Sequence, residues 1–270
     1  MKKFGFTLAE VLITLGIIGV VAALTAPALV LNARNESNAA RLSVVVSNLE
    51  NAFTSALVQE NVANLTQTRM FRNIGNNANA AQRAAFAGEL GRYIHLQGAR
   101  DSERMDDFYS NANVSVYKIN DNANPMHLDG NWLYDPNHPE FPLFFKNGAV
   151  VFLHQENVDH SALENQIRAV GGSLTHVVAE IIVDVNGLST PNTLGRDLFL
   201  FYLGADGILY PAGGLDAAAF DHAAQGIDTV RGETWQGNGG NDSFACNTNH
   251  MGNGWGCTAR VIEDGYRINY

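Results

Sequence analysis

Glu10 is the one charged residue between Lys3 and Arg34, and it sits near the start of a long apolar run. A carboxylate placed in a membrane helix costs roughly 2.5 to 3.5 kcal/mol on insertion scales, so a residue of this type here calls for a cationic partner. Its chemistry would be charge pairing; the alternative is a carboxyl that snorkels to the interface or protonates. A second group is Asp184, Asn186 and Asp197, oxygen donors spread over one turn-rich stretch, the kind of set a hard cation such as calcium prefers. Measured against an EF-hand loop the stretch departs from the pattern, with Ser189 where the sixth-position glycine belongs and Gly195 where the bidentate acid belongs. A structural turn in which Asp184 and Asp197 accept backbone N–H groups is the favoured reading beside calcium. The third group is Cys246 and Cys257, the chain's two cysteines. In an oxidising compartment they would close a short loop worth roughly 2 to 3 kcal/mol by the chain-entropy model. A Cys246, His250, Cys257 metal site lacks both the paired spacing of zinc motifs and an obvious fourth ligand.

Other chemistries find no footing. The sequence has no Gly-x-Ser-x-Gly elbow, no His-Glu-x-x-His helix, no dinucleotide fingerprint and no P-loop ending. His154, His160 and Asp159 would make a ligand group only if the fold brought them together and read instead as polar loop residues, and Glu140, Glu156 and Glu180 fix no acid–base pair. The expectation is a protein that is not an enzyme. Its formal charge of −10, with four lysines in all, repels phosphate backbones, so no nucleic-acid partner is expected.

The elements that must position these groups begin with residues 11–31, twenty-one positions without Lys, Arg, Asp or Glu. As a helix they match a hydrocarbon core of about 30 Å. Lys2 and Lys3 hold the start in the cytoplasm and leave the rest on the far side. A secretory signal fits poorly because its apolar region is shorter, although residues 22–26 loosely resemble its cleavage site. Beyond the anchor, Leu42, Val45, Val46, Leu49, Phe53 and Leu57 recur at helical spacing, so the helix is expected to run to about Val62 with an apolar face for a sheet. Pro27 should kink or locally unwind it. Residues 79–96 read as another helix, Pro125, Pro136, Pro139 and Pro142 punctuate a loop-rich stretch, and a Ser161 to Glu164 capping box opens a short helix stopping at Gly171 and Gly172. Apolar runs at 149–153, 177–185, 198–203 and 208–210 read as an antiparallel meander, its last turn supplied by Gly204 to Gly207. The glycine- and asparagine-rich residues 232–259 read as loop, and residues 255–262 and 265–270 as a closing strand pinned through Cys257.

Taken in order, Lys2, Lys3, Phe4, Gly5, Phe6, Thr7, Leu8, Ala9 and Glu10, followed by the apolar run, resemble the N-terminal signature of type IV prepilins and type II secretion pseudopilins. The resemblance implies that a prepilin peptidase cuts after Gly5 and methylates the new amine of Phe6. It also implies that Glu10 meets that amine on a neighbouring subunit during assembly, and that Pro27 falls where many members bend. Glycine at the junction suits a narrow protease cleft, having no side chain to clash. Two buried charges, each costly alone, are tolerable as a pair, which favours one stagger between subunits. The segment from Asp184 to Asp197 also resembles one recurrent in pilin-like proteins, where it joins two strands of the head. A disulfide-bounded C-terminal region often shapes the exposed surface there.

The expected architecture is therefore α+β and type IV pilin-like, a long N-terminal helix packed on an antiparallel sheet with a loop-rich C-terminal region. Residues 1–5 form a leader, 6–62 the N-terminal helix with its anchor reaching about residue 31, and 63–270 a head in the periplasm or outside the cell. The implied partners are other subunits, the peptidase and an inner-membrane assembly platform. The head is large for a major pilin, which favours a minor pilin or pseudopilin of a type IV pilus or type II secretion filament. A membrane-anchored surface or substrate-binding protein that never polymerises is the rival.

Overall fold

The computed structural model describes residues 7–72, 74, 79–99, 105–126, 141–154, 177–213, 246 and 254–270. Helix α1 spans Leu8–Glu60 and runs through Pro27 unbroken. Asn61, in the left-handed region at φ 51°, ends it, donating its N–H to the carbonyls of Leu57 and Val58. Along its first half the apolar side chains from Leu8 to Leu31 lie exposed, and burial begins only at Asn35.

From Leu42 onward α1 lies on the core sheet. Leu42, Val45, Leu49 and Phe53 are at most 1% exposed, each such burial stabilising the fold by roughly 1.5 to 3 kcal/mol. The sheet has six strands in the order β1 (Leu96–Ala99), β4 (Phe141–Phe145), β5 (Val150–His154), β6 (Val177–Asp184), β8 (Leu198–Gly204) and β9 (Leu209–Pro211), every neighbouring pair antiparallel. The intervening labels β2 (Val116–Lys118), β3 (Asp121–Pro125) and β7 (Asn192–Thr193) belong to a three-stranded sheet in which β2 pairs parallel with β7.

Both faces of the larger sheet are covered. Val151, Leu153, Ile181, Val183, Phe199 and Phe201 join the α1 side of the core. The alternate residues Val150, Phe152, Ile182, Leu200 and Tyr202 pack with Phe108, Tyr109 and Trp255. Burial on both sides is why β6 and β8 read as unbroken apolar runs rather than alternating ones. Phe108 and Tyr109 come from α4 (Met105–Asn111), where Phe108 meets Phe152 edge-on at 5.3 Å between ring centres.

Two expectations change. The helix read over residues 79–96 is α3, Ala80–Leu90, capped at Asn79; Gly91 opens a turn, and Leu96 pairs with Phe145 at the start of β1. Aromatic Tyr93 and β-branched Ile94 after a glycine give weak helical drive, and edge pairing wins. The closing strand expected from residue 255 is instead a helix, α5, Cys257–Glu263 (the other short helix, α2, is Arg69–Arg72). Thr258 and Val261, both fully buried, fall three apart on it, a spacing that suits a helical surface and not a pleat. The helix expected at Ser161 lies outside the described residues.

Candidate functional site

At the N-terminal end, Thr7 caps α1. Its hydroxyl accepts from the Glu10 N–H at 3.2 Å, while its own N–H and hydroxyl both donate to Glu10 Oε2 at 2.8 Å. This capping box gives Glu10 an internal partner besides any cation, and Thr-x-x-Glu is its sequence signal. Only Oε2 is used in these bonds. Gly5 and Phe6, the expected processing junction, lie outside the described residues.

The second site is the connection from β6 to β8. Asp184 Oδ1 accepts the N–H groups of Asn186 at 3.0 Å and Gly187 at 2.8 Å, and Asp184 Oδ2 accepts the Tyr109 hydroxyl at 2.6 Å. Asp197 Oδ2 accepts the Thr193 N–H at 3.0 Å, while Oδ1 takes the side-chain amides of Asn186, at 3.2 Å, and Asn38. Asn186, Asp184 and Asp197 are thus gathered in one buried turn, tied through Asn38 to α1 and through Tyr109 to α4. Tyr109 and Asn38 carry no local signal of this role, because their partners are 75 and 159 residues away. Burial raises the carboxyls of Asp184 and Asp197 to about 7 each, against the hydrogen bonds that pull them down. Among the described residues no group of three or more His, Cys, Asp or Glu side chains gathers as metal ligands. Every carboxylate oxygen of Asp184 and Asp197 accepts a hydrogen bond, whereas Asn186 Oδ1 accepts none.

The cysteines are bridged, Cys246 to Cys257, with Cα atoms 4.6 Å apart. The bridge packs against the same connection. Gly195 has φ +80°, and a Cβ built on it would lie 2.6 Å from both Cβ and Sγ of Cys257, so only glycine fits. Arg196 donates to Asn35 Oδ1 at 3.3 Å and to the Tyr270 carbonyl, and the Tyr270 hydroxyl donates to the Gly195 carbonyl. His154 is not a loop residue: it is buried in β5, directly across from Glu180 in β6. The strand extends one residue beyond the apolar run 149–153, into a buried histidine. His160, Asp159, Glu140 and Glu156 lie outside the described residues.

Residues 1–26 match the family described as Prokaryotic N-terminal methylation motif. No curated protein and no solved structure matches the chain. An apolar helix with this motif at its head fits anchoring in the inner membrane, processing by prepilin peptidase and assembly with other pilin subunits. The chain carries the type IV pilin and pseudopilin signature at its N-terminus, ahead of a pilin-like fold of long helix and antiparallel sheet.

Proposed function

We propose that the protein is a minor pilin or pseudopilin, made as a prepilin with residues 1–5 as leader and assembled into a type IV pilus or type II secretion filament. Prepilin peptidase cuts between Gly5 and Phe6 and methylates Phe6. The subunit waits in the inner membrane with its head, residues 63–270, on the periplasmic side, until the assembly platform draws its helix, residues 6–62, into the filament core. The reading rests on one observation: the methylation motif heads a single continuous helix whose first half is bare and whose second half is packed on a sheet. A bare apolar half-helix is stable only against lipid or against its copies. Mass spectrometry of the native polypeptide tests it. The expected product begins at N-methylated Phe6; an uncut beginning, or trimming near Ala26, would overturn the proposal.

Within the head, the role proposed for Asp184, Asn186 and Asp197 is a hydrogen-bonded lock fastening the β6–β8 connection to α1, with calcium as the competing occupant. Support comes from the donors each carboxylate already accepts. The work proposed for the protein is assembly, and no cofactor takes part in it.

A further inference from the structure

We propose that the junction of α1 with the head is a binding site for one anionic phospholipid of the outer leaflet; the proposal rests on the membrane-anchored reading above. Two hollows meet there. The upper one, about 280 Å³, is lined by Arg34, Arg41 and Arg196 with Asn35 and Asp197. Three arginines converge in it although the chain has only 17 basic residues against 27 acidic ones. Asp197, the carboxylate in its wall, is already taken up by Thr193, Asn38 and Asn186. The lower hollow is an apolar groove on α1 lined by Ala23, Ala26, Pro27, Val30, Leu31 and Arg34. Leu31 and Arg34 belong to both. A basic recess above a continuous apolar groove has the polarity of a phospholipid, with phosphate above and acyl chain below.

The heights agree. The apolar run ends at Leu31, where the polar Asn32 follows, and this sets the hydrocarbon edge. At 1.5 Å per residue Arg34 stands about 4.5 Å beyond it, within a headgroup layer about 5 to 8 Å thick. Arg196 is held at the same level by its bonds to Asn35 and Tyr270, so it lends its charge to the recess while Arg34 is the arginine offered to the phosphate. Arg41 stands about 15 Å above the edge, where it adds to the field that draws the phosphate in. Guanidinium groups are suited to phosphate by their forked, permanently charged geometry.

The test uses the full chain reconstituted in phosphatidylcholine vesicles containing trace spin-labelled phosphatidylglycerol or spin-labelled phosphatidylcholine. The motionally restricted fraction should favour phosphatidylglycerol. Arg34→Gln should cut that preference about fivefold and Arg41→Gln less, the former being the effect of removing one arginine near an anionic surface. Arg34→Lys should restore most of it, and Arg72→Gln, far from the junction, should change nothing. Equal restriction of both lipids by a chain that still floats with the vesicles overturns the site while leaving the anchor intact. A chain that fails to float overturns the anchor and the site together. Saturable binding of inorganic phosphate that Arg34→Gln abolishes, by a chain showing no preference for phosphatidylglycerol, assigns the recess to a free anion and overturns the lipid.

Discussion

Asp184 and Asp197 show what it costs to make a turn carry the load between a helix and a sheet. Both carboxyls titrate near 7 in the folded head because burial penalises their charge, whereas an unfolded aspartate titrates near 3.9. Between those values the folded head holds protons that the unfolded chain releases. The stability that this contributes is therefore fully present below about pH 4 and is lost as pH rises through about 7. The melting midpoint of the head should be higher at pH 5 than at pH 8, and Asp184→Asn, which can still accept the Asn186 and Gly187 N–H groups, should flatten that slope. Calcium at millimolar concentration should leave the pH 8 midpoint unmoved if the turn is a hydrogen-bonded lock. A rise with calcium, together with a pH slope of opposite sign, would replace the lock by a metal site.

Element by element, local pattern and tertiary demand part company at identifiable places. Helix α1 and strands β5, β6, β8 and β9 were legible because their apolar runs are long and bounded by turn residues such as Gly204 and Gly207. Strands β1 and β4 were not, since β1 is four residues of mostly exposed chain that becomes a strand only by pairing with Phe145 and its neighbours. Nor was α5, whose Gly256 N-cap makes no side-chain bond and whose seven residues are held by contacts from elsewhere. Thr258 is the clearest of these. Its hydroxyl accepts the buried Leu200 N–H at 2.9 Å and donates to the Trp255 carbonyl at 3.2 Å, so a side chain supplies the hydrogen bond that β8 would otherwise need. Thr258→Val keeps the shape and removes the acceptor. Urea unfolding should then show a loss of about 1 to 3 kcal/mol, the penalty for a buried donor left unsatisfied; a neutral result would mean the Leu200 N–H finds another acceptor.

For the molecule as a whole, the decisive contrast is between an apolar half-helix with nothing on it and a head that is closed around its own core. Glu10 links the two states. In the isolated chain its Oε2 is bound to Thr7, so the charge is already part of a cap at the helix start. The cap lowers the cost of carrying a carboxylate in the membrane without removing its charge, and Oε1 is left for a second partner. Under the proposed function an ammonium on Phe6 of a neighbouring copy would be that partner in a filament, and pairing would select one stagger because any other leaves two charges unpaired in an apolar core. Glu10→Ala should therefore abolish or sharply reduce incorporation into filaments while the protein remains membrane-bound and its head melts as before. Glu10→Gln separates the two roles, because a glutamine can still complete the capping box but cannot neutralise an amine. Sheared-filament fractions probed for the protein should show Glu10→Gln failing nearly as badly as Glu10→Ala. If Glu10→Gln assembles normally, the carboxylate serves the helix cap alone and register is set by packing of the head.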